Sequence, residues 1–328
     1  MKKTVRIIIF IGILIALFHV SNNILVEKAT NRYYMLSKEL KNQEKYDVQI
    51  FGSCHAYTSF NPVILEEEYG ISSYNMSNPS EIMPATYLRI AEQIKKNKPQ
   101  VILVETWGIN AYETYMPTEE ITDLYFRPNI ENIPFSKEKL QVIEDFEALD
   151  VWEDNFPIFK YKDRLLDFSL SEIDFKYSFE RTAELYKEEI TEWMYREMRN
   201  RFKHNGFQSN GAIEVLDNEE QQNHVEDDEI LKIESDIMKY VDKIIELCSE
   251  NDVEVIFYRA PYVSSKNELK KINYLEGYLK ERNIRFYDLE KEIEFDYEKD
   301  FKDYQHLSKH GAKKATEFLN EKIMERME

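Results

Sequence analysis

The chain has little cysteine, little glycine and proline, and a deficit of positive charge. Cys54 and Cys248 are its only cysteines in 328 residues, which excludes a disulfide framework and leaves one conceivable pairing. Cys248 falls on the apolar stripe of an expected helix and reads as core, so that pairing is not expected. Eight Gly and nine Pro beside 43% hydrophobic and 13% aromatic residues exclude a low-complexity chain and describe a globular one, long enough for a large α/β domain with an insertion. The formal charge of −19 excludes nucleic acid as a partner, because phosphate binding needs clustered Lys and Arg. Most of this surface would also repel an anionic glycopolymer. His306 and His310 stand four apart and would share a helix face. The His-Glu-x-x-His pattern is missing, as is a third ligand at metal spacing, so neither a metal nor a cofactor is expected.

One long hydrophobic run is present. Ile7 to Val20 is nearly all apolar and the character resumes at Ile24-Leu25-Val26, giving about twenty residues, enough for a hydrocarbon core of about 30 Å. No small-x-small cleavage site follows. Residues 1–26 therefore read as a cytoplasmic start and a transmembrane anchor. Lys2, Lys3 and Arg6 before the span should stay inside, which predicts a single-pass protein of the cell membrane with an extracytoplasmic C-terminal domain. Residues 27–45, with Tyr33, Tyr34, Met35 and Leu36 among charges, read as a juxtamembrane helix and linker.

From residue 46 an α/β alternation begins. Val48–Phe51, Ser73–Met76, Val101–Val104, Val253–Tyr258 and Ile284–Asp288 read as strands, the third continuously apolar as a parallel interior strand should be. Asn61-Pro62 signals a helix entry and Gly70 a helix exit. Ile230, Ile233, Ile237, Val241, Ile244 and Cys248 repeat at helical steps, and Ser308–Arg326 closes the chain as a helix. Between 115 and 228 the alternation is lost. That stretch holds Trp152, Phe156, Phe159, Tyr161, Phe168, Phe175, Tyr177, Phe179, Trp193 and Phe202, and it reads as a mostly helical cap with its own small core. A sharper reading makes part of it an acceptor groove with aromatics stacking on sugars. Asp217–Glu229 reads as a solvated acidic loop.

The chemistry is carried by two blocks. Val48-Gln49-Ile50-Phe51-Gly52-Ser53-Cys54-His55 is a strand ending in a glycine turn, which lifts one side chain, Cys54, off the sheet edge. Asp303-Tyr304-Gln305-His306 places a carboxylate three residues before an imidazole. Together these blocks resemble the SGNH/GDSL hydrolase-like superfamily, in particular its membrane-anchored branch with Gly-Ser-Ser-His as first motif, written here Gly-Ser-Cys-His. The resemblance spans roughly residue 45 to the C-terminus. It implies a three-layer sandwich with a five-stranded parallel sheet in flavodoxin-like order 2-1-3-4-5. It further implies Cys54 as nucleophile, His306 as base and Asp303 as its orienter. The oxyanion would be held by the N–H of Cys54, the N–H of Ser77 in Asn75-Met76-Ser77, and the amide of Asn110 in Gly108-Ile109-Asn110. His55 belongs to the branch motif with a structural hydrogen bond as its job, while Ser53, Glu105 and Trp107 would line the site. Cys in place of Ser would give a thioester intermediate.

The function so implied is O-acyl transfer to a cell-envelope polysaccharide or related polymer, with a multi-pass membrane acyltransferase as the partner delivering the acyl group. The alternatives are an esterase acting on the same substrates and a catalytically inactive glycan-binding or assembly protein.

Overall fold

Short apolar segments far apart in sequence become neighbours in a computed structural model, in which residues 2–25, 45–110, 126–160, 200–210 and 223–327 are described. The strands β1 (Val48–Phe51), β2 (Ser73–Asn75), β3 (Val101–Glu105), β4 (Glu254–Arg259) and β5 (Arg285–Asp288) form one parallel sheet. Its order is 2-1-3-4-5, as expected. Each strand lies within a residue or so of where β-branched and aromatic residues concentrate, because these fit a pleated surface buried on both sides. Pairing of Phe51 with Val104 and of Glu105 with Tyr258 brings the carboxyl ends of β1, β3 and β4 to one edge. Chain order reverses there, between β1 and β3, the place where open parallel sheets bind ligands.

Helices α1 (Lys2–Leu25), α2 (Cys54–Ser59), α3 (Pro62–Tyr69), α4 (Met83–Asn97) and α5 (Trp107–Asn110) occupy the first third of the chain. Short helices α6 (Arg127–Ile130), α7 (Lys137–Glu144) and α8 (Pro157–Lys160) follow, then α9 (Ser235–Glu250), α10 (Lys266–Glu281), α11 (Leu289–Glu292) and α12 (Lys309–Met327). Side chains alternate across the sheet. Val48, Ile50, Val101, Leu103, Ile256 and Tyr258 face one way and pack with Ala56 and Phe60 near α2, Leu65 of α3, and Ala315, Leu319 and Ile323 of α12. Phe51, Ile102, Val104, Val255 and Phe257 face the other way, against α4, α9 and α10. Cys248 is fully buried in that second layer.

Local signals explain several helix ends. Asn61 accepts the Val63 N–H, Pro62 sits at the first position, and Gly70 closes α3 at φ +70°. Ser265 and Glu268 form a capping box at the start of α10. One boundary differs from expectation. The apolar repeat beginning at Ile230 predicts a helix from there, yet α9 starts at Ser235. Before it the Leu231 N–H donates to the Lys270 carbonyl at 3.0 Å, and Ile233 is buried from non-helical backbone, so burial continued the spacing without the helix.

Of the insertion expected at 115–228, residues 126–160, 200–210 and 223–228 are described. The linker at 27–44 lies outside the described residues, as do Tyr161, Phe168, Phe175, Tyr177, Phe179 and Trp193 and residues 217–222 of the acidic loop. Residues 200–210 return to the sheet. The Asn205 carbonyl accepts the Asn75 N–H at 2.8 Å, on the outer edge of β2, and Gly206 approaches so closely that a Cβ there would lie 2.0 Å from the Asn75 oxygen.

Candidate functional site

The turn after β1 requires glycine. Gly52 has φ +139°, and a Cβ would meet Glu105 Cβ at 2.8 Å and Ala56 Cβ at 3.2 Å. Ser53 then caps α2, its Oγ accepting the His55 N–H at 3.2 Å. The same hydroxyl donates to Glu105 Oε2 at 3.0 Å, while Glu105 Oε1 accepts the Trp107 N–H at 2.8 Å. A serine hydroxyl has one hydrogen. With that hydrogen directed at Glu105, Ser53 Oγ also lies 3.0 Å from His55 Nδ1. The same Nδ1 lies 3.8 Å from Cys54 Sγ. On the other side of the ring, Nε2 is 3.3 Å from Gln305 Oε1. The buried His55 ring is packed by Trp107, Tyr262 and His306, with centroids 5.1, 4.9 and 5.4 Å away.

The second imidazole comes from the loop before α12. His306 Nδ1 lies 2.9 Å from Asp303 Oδ1 and 3.2 Å from Oδ2, and Asp303 Oδ1 also accepts the Gln305 N–H at 2.8 Å. This loop is tied on three sides. Phe301 and Leu307 form an antiparallel bridge, the Val263 N–H donates to the Tyr304 carbonyl, and Asn210 Nδ2 donates to the Leu307 carbonyl at 3.0 Å. His306 therefore reaches Cys54 from a fixed frame.

The charges follow from this packing. Burial works against the Cys54 thiolate, but the attraction of His55 and hydrogen bonds from His306 and His55 hold the thiol well below its ordinary range. Burial would lower His306, yet its bonds to Asp303 and Cys54 push it up to about 9. Asp303, which desolvation would raise, is held at about 2 by His306. A thiol lowered and an imidazole raised by each other form a thiolate–imidazolium pair around neutral pH. Cys248 has no such neighbour, and burial pushes it up to about 12.

No protein-family model and no curated protein matches this chain.

Cys54, His55, Ser53, Glu105, Trp107, Asp303 and His306 thus gather at the carboxyl edge of the sheet. The two remaining expected donors lie nearby with internal partners. Ser77 is fully buried and its N–H, expected to face an oxyanion, donates to Asn75 Oδ1 at 3.3 Å. Asn110 Nδ2 donates to Tyr262 OH at 3.0 Å, which uses one of the two hydrogens of that amide. Gly108 two residues earlier is there for space, since a Cβ would lie 2.6 Å from the Glu81 carbonyl oxygen. His306 and His310 do not share a helix face, because α12 begins only at Lys309. Among the described residues no three His, Cys, Asp or Glu side chains are grouped to hold a metal ion.

Several participants were missed from sequence. Gln305 sits inside the Asp-x-x-His block, whose spacing gives it no role of its own. Tyr262 follows β4 and is buried beside Arg259, whose guanidinium pairs with Asp288 at 2.8 Å and Glu290 at 2.6 Å. Arg201, from the insertion, stacks its guanidinium 3.8 Å from the Tyr57 ring centroid and donates to the Ser77 carbonyl at 2.9 Å. Charged residues ending apolar strands, as Arg259 and Asp288 do, were the available signal. For Arg201 there was none.

Proposed function

We propose that this protein is an extracytoplasmic SGNH-like O-acyltransferase that moves an acyl group through Cys54 onto a hydroxyl of a cell-envelope polysaccharide or related polymer. The observation that carries the reading is the Asp303–His306 pair aimed at a half-buried thiol held low by two imidazoles. In the first half-reaction the Cys54 thiolate attacks the acyl carbon of an ester donor. The tetrahedral oxyanion collapses, the donor C–O bond breaks, and His306 gives its proton to the leaving alkoxide, leaving a thioester. In the second half an acceptor hydroxyl attacks the thioester carbonyl, His306 takes its proton, and the thiolate departs. Asp303 holds the ring and balances its charge throughout. The Cys54 N–H, at the first position of α2, and the second amide hydrogen of Asn110 are the donors suited to the oxyanion, since the Ser77 N–H is used by Asn75.

The test is a burst experiment with p-nitrophenyl acetate as acyl donor. The wild-type chain should release nitrophenolate in a stoichiometric burst and carry acetate on Cys54 by mass spectrometry. Cys54→Ser should retain measurable turnover, whereas Cys54→Ala should show neither burst nor adduct. Equal release by wild type, Cys54→Ala and His306→Ala would overturn the enzymatic reading.

A further inference from the structure

A cluster of aromatic side chains in the insertion lies against the end of α1. Phe156 is at its centre, with ring centroids 5.8 Å from Phe135, 6.1 Å from Trp152, 6.2 Å from Phe159 and 5.4 Å from Phe18 of α1. Phe18 also touches Phe159 at 6.1 Å. Contact with the helix does not bury the cluster: Trp152 is 62% and Phe135 58% exposed, and Val151 and Phe159 are exposed too. Isolated exposed apolar residues need no explanation, but a contiguous aromatic patch does.

Its position names what covers it. The stretch Lys3–Ser21 is long and apolar enough to cross a membrane, and none of it is buried in the protein. Phe18 lies three residues before the end of that stretch, the end remote from Lys3 and Arg6. At 1.5 Å per residue this is within about 5 Å of Ser21-Asn22-Asn23, the polar break in the apolar run. A patch packed on Phe18 therefore shares the depth of the membrane–water interface, where Trp and Phe partition favourably, Trp with its N–H toward the headgroups.

We propose that Phe135, Trp152, Phe156 and Phe159 form a second membrane contact, seated in the interface of the bilayer that α1 crosses and fixing the tilt of the α/β domain over it. The lipid surface it fits is zwitterionic. The patch is apolar, the charges beside it in sequence are of both signs (Lys137, Asp150, Glu153 and Lys160), and the chain as a whole carries −19, so anionic headgroups add no net attraction.

The experiment uses the full chain in phosphatidylcholine nanodiscs whose acyl chains are brominated near the headgroup. The tryptophans are Trp107, Trp152 and Trp193, so subtracting the emission of Trp152→Phe isolates Trp152. That component should be lost in brominated discs and retained in unbrominated ones, and raising the salt should leave the loss unchanged. Trp152 emission equal in both discs would overturn the proposal. Such emission responding instead to added maltohexaose would assign the patch to sugar binding, and emission varying with the number of chains per disc would assign it to a second copy. Phe135→Ser with Phe159→Ser gives an independent arm: the loss should weaken while Cys54 alkylation stays unchanged, and full quenching in that variant would also count against the proposal.

Discussion

Two imidazoles face the Cys54 sulfur. With the thiol held low and His306 at about 9, alkylation of Cys54 by iodoacetamide should already be fast at neutral pH and change little as pH rises further, whereas buried Cys248 should react only on unfolding. His306→Ala removes a partner of the thiolate, so the rate near neutral pH should fall, roughly tenfold for each unit by which the thiol then lies above the ambient pH. Ser53 acts at one remove. Ser53→Ala deletes the α2 cap and leaves the buried Glu105 Oε2 without its donor, costing about 2–3 kcal/mol, read as a lower chemical-denaturation midpoint. The sequence made the spacings at 52–55 and 303–306 legible because each is local, set by a turn or by three residues of loop. Gln305 against His55, and Tyr262 against Asn110, depend on segments some 150 to 250 residues apart, and no local pattern carries that information.

At the level of elements, two glycines with left-handed backbone separate conformational strain from collision. Gly70 ends α3 at φ +70° with nothing within 4 Å of a would-be Cβ, whereas Gly206 at φ +86° would drive one into the Asn75 carbonyl. Gly70→Ala should cost about 1 kcal/mol, and Gly206→Ala distinctly more, because residues 200–210 must lift off β2 as well. Comparing the two melting temperatures by circular dichroism tests the difference. The order 2-1-3-4-5 was expected only through the resemblance carried by the blocks at 52–55 and 303–306, whereas strand positions and a parallel sheet covered on both faces were accessible in advance, since apolar runs alternate with helical patterns. The start of α9 was not, because Ile233 meets the same burial requirement as a helical residue would. Nor was the docking of 200–210, whose anchors Arg201, Gly206 and Asn210 are individually unremarkable in sequence.

For the molecule as a whole, Glu81 sets a pH dependence. Its side chain is fully buried, accepts from Thr86 at 2.8 Å and lies 3.2 Å from Arg89. Burial outweighs the pull of Arg89 and pushes its carboxyl up to about 7. A carboxyl raised on folding binds its proton more tightly in the folded state, so its contribution is fully present below the unfolded value, about 4.3, and is lost as pH rises through about 7. Glu81→Gln keeps the shape and cannot ionise. The stability of wild type relative to this variant should therefore fall between about pH 4 and about pH 7, by up to about 3–4 kcal/mol. Parallel unfolding curves in one detergent check it, and a constant difference would count against the shift.

The clasp of residues 200–210 over β2 also bears on how far the protein can be cut down. Trimming the chain to its sheet and principal helices would discard the backbone that now occupies the outer margin of β2. A three-residue strand left open there offers its unpaired N–H to whatever extended peptide arrives first, and in a concentrated preparation that peptide is another copy of the same strand. A minimal version lacking this stretch should therefore grow into higher-order aggregates on size-exclusion chromatography, whereas one that retains 200–210 on a short bridge should elute as a discrete species.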